Sequence, residues 1–107
     1  MEETQYHKYA DAALEELLEY LEGLEDEYDI YPELESGVLS LTMADDRQYV
    51  INKHTPSKQI WVSSPYSGAG YYEYAEGVWQ PKRVANSALG KNLREFIMAE
   101  VMENLDD

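Results

Sequence analysis

The stretch Tyr49-Val50-Ile51-Asn52-Lys53-His54-Thr55-Pro56-Ser57-Lys58-Gln59-Ile60-Trp61-Val62-Ser63-Ser64-Pro65 holds two alternating runs around one break. Tyr49–Lys53 and Gln59–Ser63 each show the period of two that sends successive side chains to opposite faces of a sheet. Thr55-Pro56 closes the first run and Ser64-Pro65 the second, because proline has no N–H for the ladder. In the second run Ile60 and Val62 share one face, so Trp61 shares the other with Gln59 and Ser63. In the first, Tyr49 and Ile51 point inward and leave Val50 and Asn52 outward. The outer face then carries Asn52, Gln59 and Trp61, with Lys53 close by. A tryptophan exposed among amides is a typical interface anchor. A partly covered surface tryptophan without a partner fits the same pattern.

The neighbouring segments extend this pattern. Val38–Met43 places Leu39, Leu41 and Met43 on one strand face, and Ala44-Asp45-Asp46-Arg47 is a turn. After a Ser67-Gly68-Ala69-Gly70 loop, Tyr71–Tyr74 and Val78–Gln80 read as two further strands joined across Ala75-Glu76-Gly77. Short strands with short turns predict an antiparallel meander. Before the meander, Thr4 to Glu27 reads as a long amphipathic helix capped by Thr4, and Tyr28 to Ser36 as a link containing Pro32. Ala10, Leu14, Leu17, Leu18, Leu21 and Leu24 recur at helical spacing on its inner face. After the meander comes a polar stretch, Pro81 to Asn92. A second helix then follows, with Leu93, Phe96, Ile97, Val101 and Leu105 inward and Leu89 near its first turn. The order helix, about five strands, helix predicts an α+β fold: a two-layer sandwich with both helices on one face of an antiparallel sheet. With 107 residues, residues 1–107 form a single domain.

Eight basic and 22 acidic residues give a formal net charge of −14. Such a surface repels phosphate backbones and anionic lipid, which excludes nucleic-acid and membrane-surface binding, and it attracts cations and basic proteins. The chain has no cysteine, so thiolate chemistry and cysteine-based zinc sites are excluded. No apolar run reaches membrane-spanning length. The acidic start, Met1-Glu2-Glu3-Thr4, is unlike a targeting segment. It predicts a cytosolic protein or a mature form whose leader has been removed.

The acids are not scattered. At 100° per residue, Asp11, Glu15, Glu19, Glu22 and Asp26 fall within a stripe roughly 80° wide, centred about 120° from the leucine face. Like charges at i, i+3 and i+4 repel, and no lysine or arginine lies between Lys8 and Arg47 to relieve them. A row of exposed carboxylates suits hard cations such as Fe²⁺, Fe³⁺, Ca²⁺ or Mg²⁺ through oxygen ligands. It lacks a closed ligand set, so it predicts weak, labile, multi-ion binding; a solvated acidic face is the competing explanation. His7 stands one turn before Asp11, where the pair can share a metal, although a lone surface histidine is commoner. No phosphate loop, activated serine or selected carboxylate pair is present, so no catalytic residues are assigned.

The 49–65 block resembles the central signature of the frataxin family, and Ser36-Gly37-Val38-Leu39 before it and Ser67-Gly68 after it fit the same pattern. The resemblance covers nearly the whole chain and is closest to eukaryotic members. It implies an iron-binding protein of iron–sulfur cluster biogenesis in the mitochondrial matrix, or in the cytoplasm of a bacterium. Such a protein binds Fe²⁺/Fe³⁺ weakly on a surface ridge and activates a cysteine desulfurase–scaffold complex. It is a monomer, with iron-dependent oligomers and ferroxidase activity in some members. Carried over by position, Glu15, Glu19, Glu22 and Asp26 match the ridge, Asp11 extends it, and Asp29 and Glu33 continue it towards the first strand. Asn52, Lys53, Gln59 and Trp61 match the partner-binding surface. The alternatives are a ferroxidase or iron-storage protein, and an acidic interaction domain without a physiological metal. Gly23 stands where many relatives carry an acid, His54 replaces a usual glutamine, and Tyr71 sits near a usual basic residue. The 81–92 segment is more basic and longer than usual. The short C-terminus predicts lower stability than in relatives whose extension covers the core.

Overall fold

A computed structural model describes residues 1–83 and 91–105. Helix α1 (Glu3–Glu22) is followed by strands β1 (Tyr31–Glu35), β2 (Val38–Thr42), β3 (Gln48–His54), β4 (Gln59–Ser64), β5 (Gly68–Ala75) and β6 (Val78–Arg83). Helix α2 (Leu93–Glu103) comes last. The six strands form one antiparallel sheet in sequence order. Both helices cover the same face. Tyr6, Leu14, Leu17 and Leu21 of α1 and Phe96, Ile97 and Val101 of α2 are buried together with Leu39, Leu41, Tyr49, Ile51, Ile60, Val62 and Tyr72 of the sheet. Each buried leucine contributes about 2 kcal/mol of hydrophobic stabilisation. The expected two-layer sandwich and the inward sets of β2, β3 and β4 are as the alternation predicts.

Five expectations change. Helix α1 ends at Glu22 and not Glu27. Leu24 and Glu25 instead donate to Leu21 and Glu22, three residues back. Gly23 weakens helix continuation, and the acids Glu25-Asp26-Glu27 would sit at the negative end of the helix dipole. The N-cap is Glu2, without a side-chain bond, and Thr4 lies inside the helix. The Tyr28–Ser36 link contains β1. Proline is admissible there because β1 is an edge strand, and its glutamates blunt that edge. The Ser67–Gly70 loop is mostly strand: Gly68, Ala69 and Gly70 pair with Ser64, Ser63 and Val62. The reversal is tightened by Ser64 Oγ, which accepts from the N–H groups of Tyr66 and Ser67. Of the polar 81–92 stretch, Pro81–Arg83 belongs to β6. Asn92 caps α2 in a reciprocal box with Glu95. Leu89 lies outside the described residues.

The β1–β2 hairpin turns on Ser36 and Gly37, both with positive φ, as a two-residue turn matched to strand twist requires. At Gly37 a Cβ would also meet Lys53 Cε at 2.9 Å. The glycine therefore makes room for a lysine that decides part of the site.

Candidate functional site

Two surfaces collect the residues singled out by sequence. The first is the outer edge of α1. Glu15, Glu19 and Glu22 are exposed along it at helical spacing, and Asp11 begins the row with its side chain half exposed. Asp26 and Asp29 are exposed too, but they follow the end of the helix and leave its stripe. Glu33 lies on β1, where Tyr31 donates a 3.3 Å hydrogen bond to its carboxylate. It faces away from the helices, because its neighbour Leu34 pairs with buried Leu39. Among the described residues no three His, Asp or Glu side chains converge on a point that would hold one ion. The carboxylates form a field and not a cage.

The N-terminal end of this row already has a cation. Lys53 Nζ lies 2.7 Å from Asp11 Oδ1 and 3.0 Å from His7 Nδ1. His7 Nε2 stands 4.0 Å from Glu3. Period two puts Lys53 on the face of Tyr49 and Ile51, so its side chain rises towards α1 and is largely covered. Lys53 is thus on the opposite side of the sheet from Asn52, Gln59 and Trp61, contrary to its expected place close by them. Its ammonium sits where a metal shared by His7 and Asp11 would sit. Beside the row, Arg94 of α2 reaches Glu16 at 2.7 Å. Tertiary structure therefore supplies the bases that the helix's own sequence lacks.

The second surface is the outer face of the sheet. Register brings Val38, Asn52, Trp61 and Tyr71 into one row across β2, β3, β4 and β5. Trp61 is 41% exposed and Val38 equally so, which leaves two large apolar side chains in solvent on either side of Asn52. The indole is held on several sides. Its N–H donates to Gln59 Oε1 at 2.8 Å, and Ser57 Oγ donates to the same oxygen at 2.9 Å. Gln59 Nε2 donates to Glu73 at 2.9 Å. The His54 imidazole stacks on the indole at 3.8 Å between centroids and 10° between planes, while Tyr71 flanks it at 6.2 Å. Asn52, Gln59 and Trp61 stand as the alternation predicts. Ser57, Glu73 and Val38 were not picked out from sequence. The β4–β5 register pairs Gln59 with Glu73, a relation visible only once the hairpin is aligned.

Opposite this face, inside the core, Glu100 of α2 accepts from Tyr49 Oη at 2.8 Å and Ser64 Oγ at 2.5 Å, and is 5% exposed. Burial pushes the Tyr49 hydroxyl far above the ordinary tyrosine range, and the bond to Glu100 adds to the shift. Burial likewise raises Tyr72 strongly, and Tyr6 as well. These groups are structural: they lie in the packed layer between helices and sheet.

Comparison with known proteins agrees with this geometry. The frataxin-like domain model matches residues 1–106. The chain is 42% identical to the mitochondrial frataxin homolog of Saccharomyces cerevisiae over 99 residues, covering 90% of this chain and 54% of that protein. It is 38% identical to the homolog of Schizosaccharomyces pombe over 101 residues, covering 88% and 63%. The chain thus spans between about half and somewhat under two thirds of the length of these relatives. Among solved structures, a trimeric frataxin from S. cerevisiae complexed with ferrous iron superposes with a TM-score of 0.75 at 35% identity, covering 89% of this chain and 83% of that one. A frataxin from Psychromonas ingrahamii shares the fold, with a TM-score of 0.80 at 21% identity over 96% and 90% of the two chains. A helix–meander–helix sandwich, a tryptophan displayed on the outer sheet face and a family match across 106 residues lead to one conclusion: the chain belongs to the frataxin family.

Proposed function

We propose that this protein carries iron weakly on the exposed carboxylates of α1 and docks through its outer sheet face on a cysteine desulfurase–scaffold complex, in the mitochondrial matrix, to support iron–sulfur cluster assembly. The observation that carries the reading is the pairing of two unlike surfaces on one small domain. One is an acidic field with no closed ligand set; the other is an aromatic row in solvent held by its own hydrogen bonds. A field of separate carboxylates suits a hard cation as transient cargo, bound and released without dismantling a site. Support for iron as that cation comes from the ferrous complex of the 35% identical yeast structure, and support for the compartment from the mitochondrial relatives. The strong negative charge speeds encounter with a basic partner, and Trp61 supplies the apolar anchor once docked. Within the acidic field the geometry favours Glu15, Glu19 and Glu22, since Lys53 occupies the Asp11–His7 end.

The test is stimulation of sulfur transfer by the desulfurase–scaffold complex. Trp61→Ala is expected to abolish most of it with the fold intact; unchanged stimulation overturns the docking role. Fe²⁺ titration followed by amide NMR is expected to move the α1 signals. Shifts absent from α1 would favour an acidic interaction domain without a physiological metal. The trimeric yeast structure favours one second reading, an oligomeric iron-oxidising or storage form. Oxygen uptake on Fe²⁺ addition, compared with a variant whose α1 carboxylates are neutralised, separates it from the first.

A further inference from the structure

His54 is the residue of the outer face whose environment the docking reading does not use. It is the last residue of β3, just before the 3₁₀ turn Thr55–Ser57, and its side chain lies flat on the exposed indole of Trp61. Its Nδ1 is 2.6 Å from Ser57 Oγ. The direction of that bond follows from counting protons. Ser57 has one hydroxyl proton, and Gln59 Oε1 at 2.9 Å is an amide oxygen that can only accept, so that contact takes the proton; the His54 carbonyl is farther away, at 3.5 Å. Ser57 Oγ must then accept from His54, so Nδ1 carries the proton. A chain of donors runs from the His54 Nδ1–H to Ser57, and from the Ser57 hydroxyl to Gln59 Oε1, where the Trp61 N–H also arrives. Glu73 fixes the amide's other end and so sets which way Gln59 points.

An exposed tryptophan without such contacts samples several rotamers and loses that freedom on docking. Immobilising a side chain of this kind on association costs about 0.5–1.5 kcal/mol, which is roughly a two- to tenfold change in affinity. Here the indole is fixed in the free protein, in its plane by the hydrogen bond to Gln59 and across one face by the imidazole. We propose that His54 is a positioning residue of the docking face: anchored through Ser57, it holds Trp61 in the orientation the partner meets. The proposal rests on the docking reading given above, and it explains what the histidine does beside the tryptophan without making it a ligand or a contact in its own right.

The experiment uses the full chain with the desulfurase–scaffold complex as the binding partner. It adds the indole N–H signals in ¹⁵N NMR of the free protein, with buried Trp79 as internal reference. His54→Ala is expected to increase the mobility of the Trp61 indole signal, leave that of Trp79 unchanged and weaken binding about three- to tenfold. Ser57→Ala should do the same to a smaller extent. In a Trp61→Ala background, His54→Ala should cost no further affinity, because the histidine acts through the indole. Unchanged Trp61 dynamics in His54→Ala overturns the proposal. So does an equal loss of affinity with and without Trp61, which would mean that His54 touches the partner directly. If Trp61→Ala alone leaves binding intact, the docking reading has failed, and that failure is visible separately from the indole signal of the free protein.

Discussion

The same three strands build two unlike polar networks on opposite faces of one sheet. Inward, β3 contributes Tyr49 and β4 contributes Ser64, both donating to the buried carboxylate of Glu100, with Tyr72 of β5 buried nearby. Outward, the same strands contribute Gln59, Trp61 and Glu73, with His54 at the end of β3 stacked over the indole. The inner network is out of water, where an unmade hydrogen bond costs the full desolvation of the group left behind. The outer one is in water, where each bond is replaceable and its net worth to folding is small. The inner set should therefore govern stability and the outer set recognition. The α1 carboxylates, charged and unconverged, should govern neither strongly and respond chiefly to cations.

Substitutions test that division. Glu100→Ala leaves the Tyr49 hydroxyl buried without its acceptor and opens a space in the core. It is expected to destabilise by about 3 kcal/mol, lowering Tm by roughly 10–20 °C, with partner affinity per folded molecule unchanged. A loss of affinity with no loss of stability would break the division. Trp61→Ala should do the reverse: loss of about 2 kcal/mol in docking, roughly thirtyfold, against a shift within about 0.5 kcal/mol in denaturant unfolding.

Alkaline titration sharpens the contrast. Tyr49 and Tyr72 stay protonated in the fold at pH values where the unfolded chain has lost both protons. The unfolded state then binds fewer protons, so stability is fully present below about pH 10 and falls as pH rises beyond it. The fall reaches roughly 1.4 kcal/mol for each residue by about pH 11. Tyr49→Phe should flatten that slope, measured by urea unfolding across the range; exposed Tyr31→Phe should not. The smallest effect belongs to the ridge. Replacing Glu15, Glu19 and Glu22 with glutamine removes four like-charge pairs within α1, Asp11–Glu15, Glu15–Glu19, Glu16–Glu19 and Glu19–Glu22, and should raise stability by a few tenths of a kcal/mol for each. It should also erase the α1 amide shifts on Fe²⁺ addition. A marked loss of stability would show that these carboxylates serve the fold.

Much of this was legible along the chain, because periodicity is a local property. The leucines of α1 and the alternation in β2, β3 and β4 identified the inner face. Strict period two also placed Trp61, Asn52 and Gln59 outward. Where composition contradicted geometry the reading slipped: Pro32 disguised an edge strand, and Gly68 to Gly70 looked like a loop because nothing local announces that Ser64 will tie the reversal. The end of α1 was overrun because Leu24 continues the apolar spacing while packing from a tighter turn.

Sequence by itself determined the layer order, the acidic character of α1 and the outward tryptophan, since each depends on the spacing of residues within one element. Only the tertiary structure decided which charges meet. Lys53 is 42 positions from Asp11 along the chain, and Arg94 is 78 from Glu16, yet each pair is in contact. No local pattern encodes those distances. The same holds for His54: its stack on Trp61 depends on the 3₁₀ turn folding β4 back beside β3, so a residue with little meaning in the sequence becomes the neighbour of the most exposed aromatic of that strand pair.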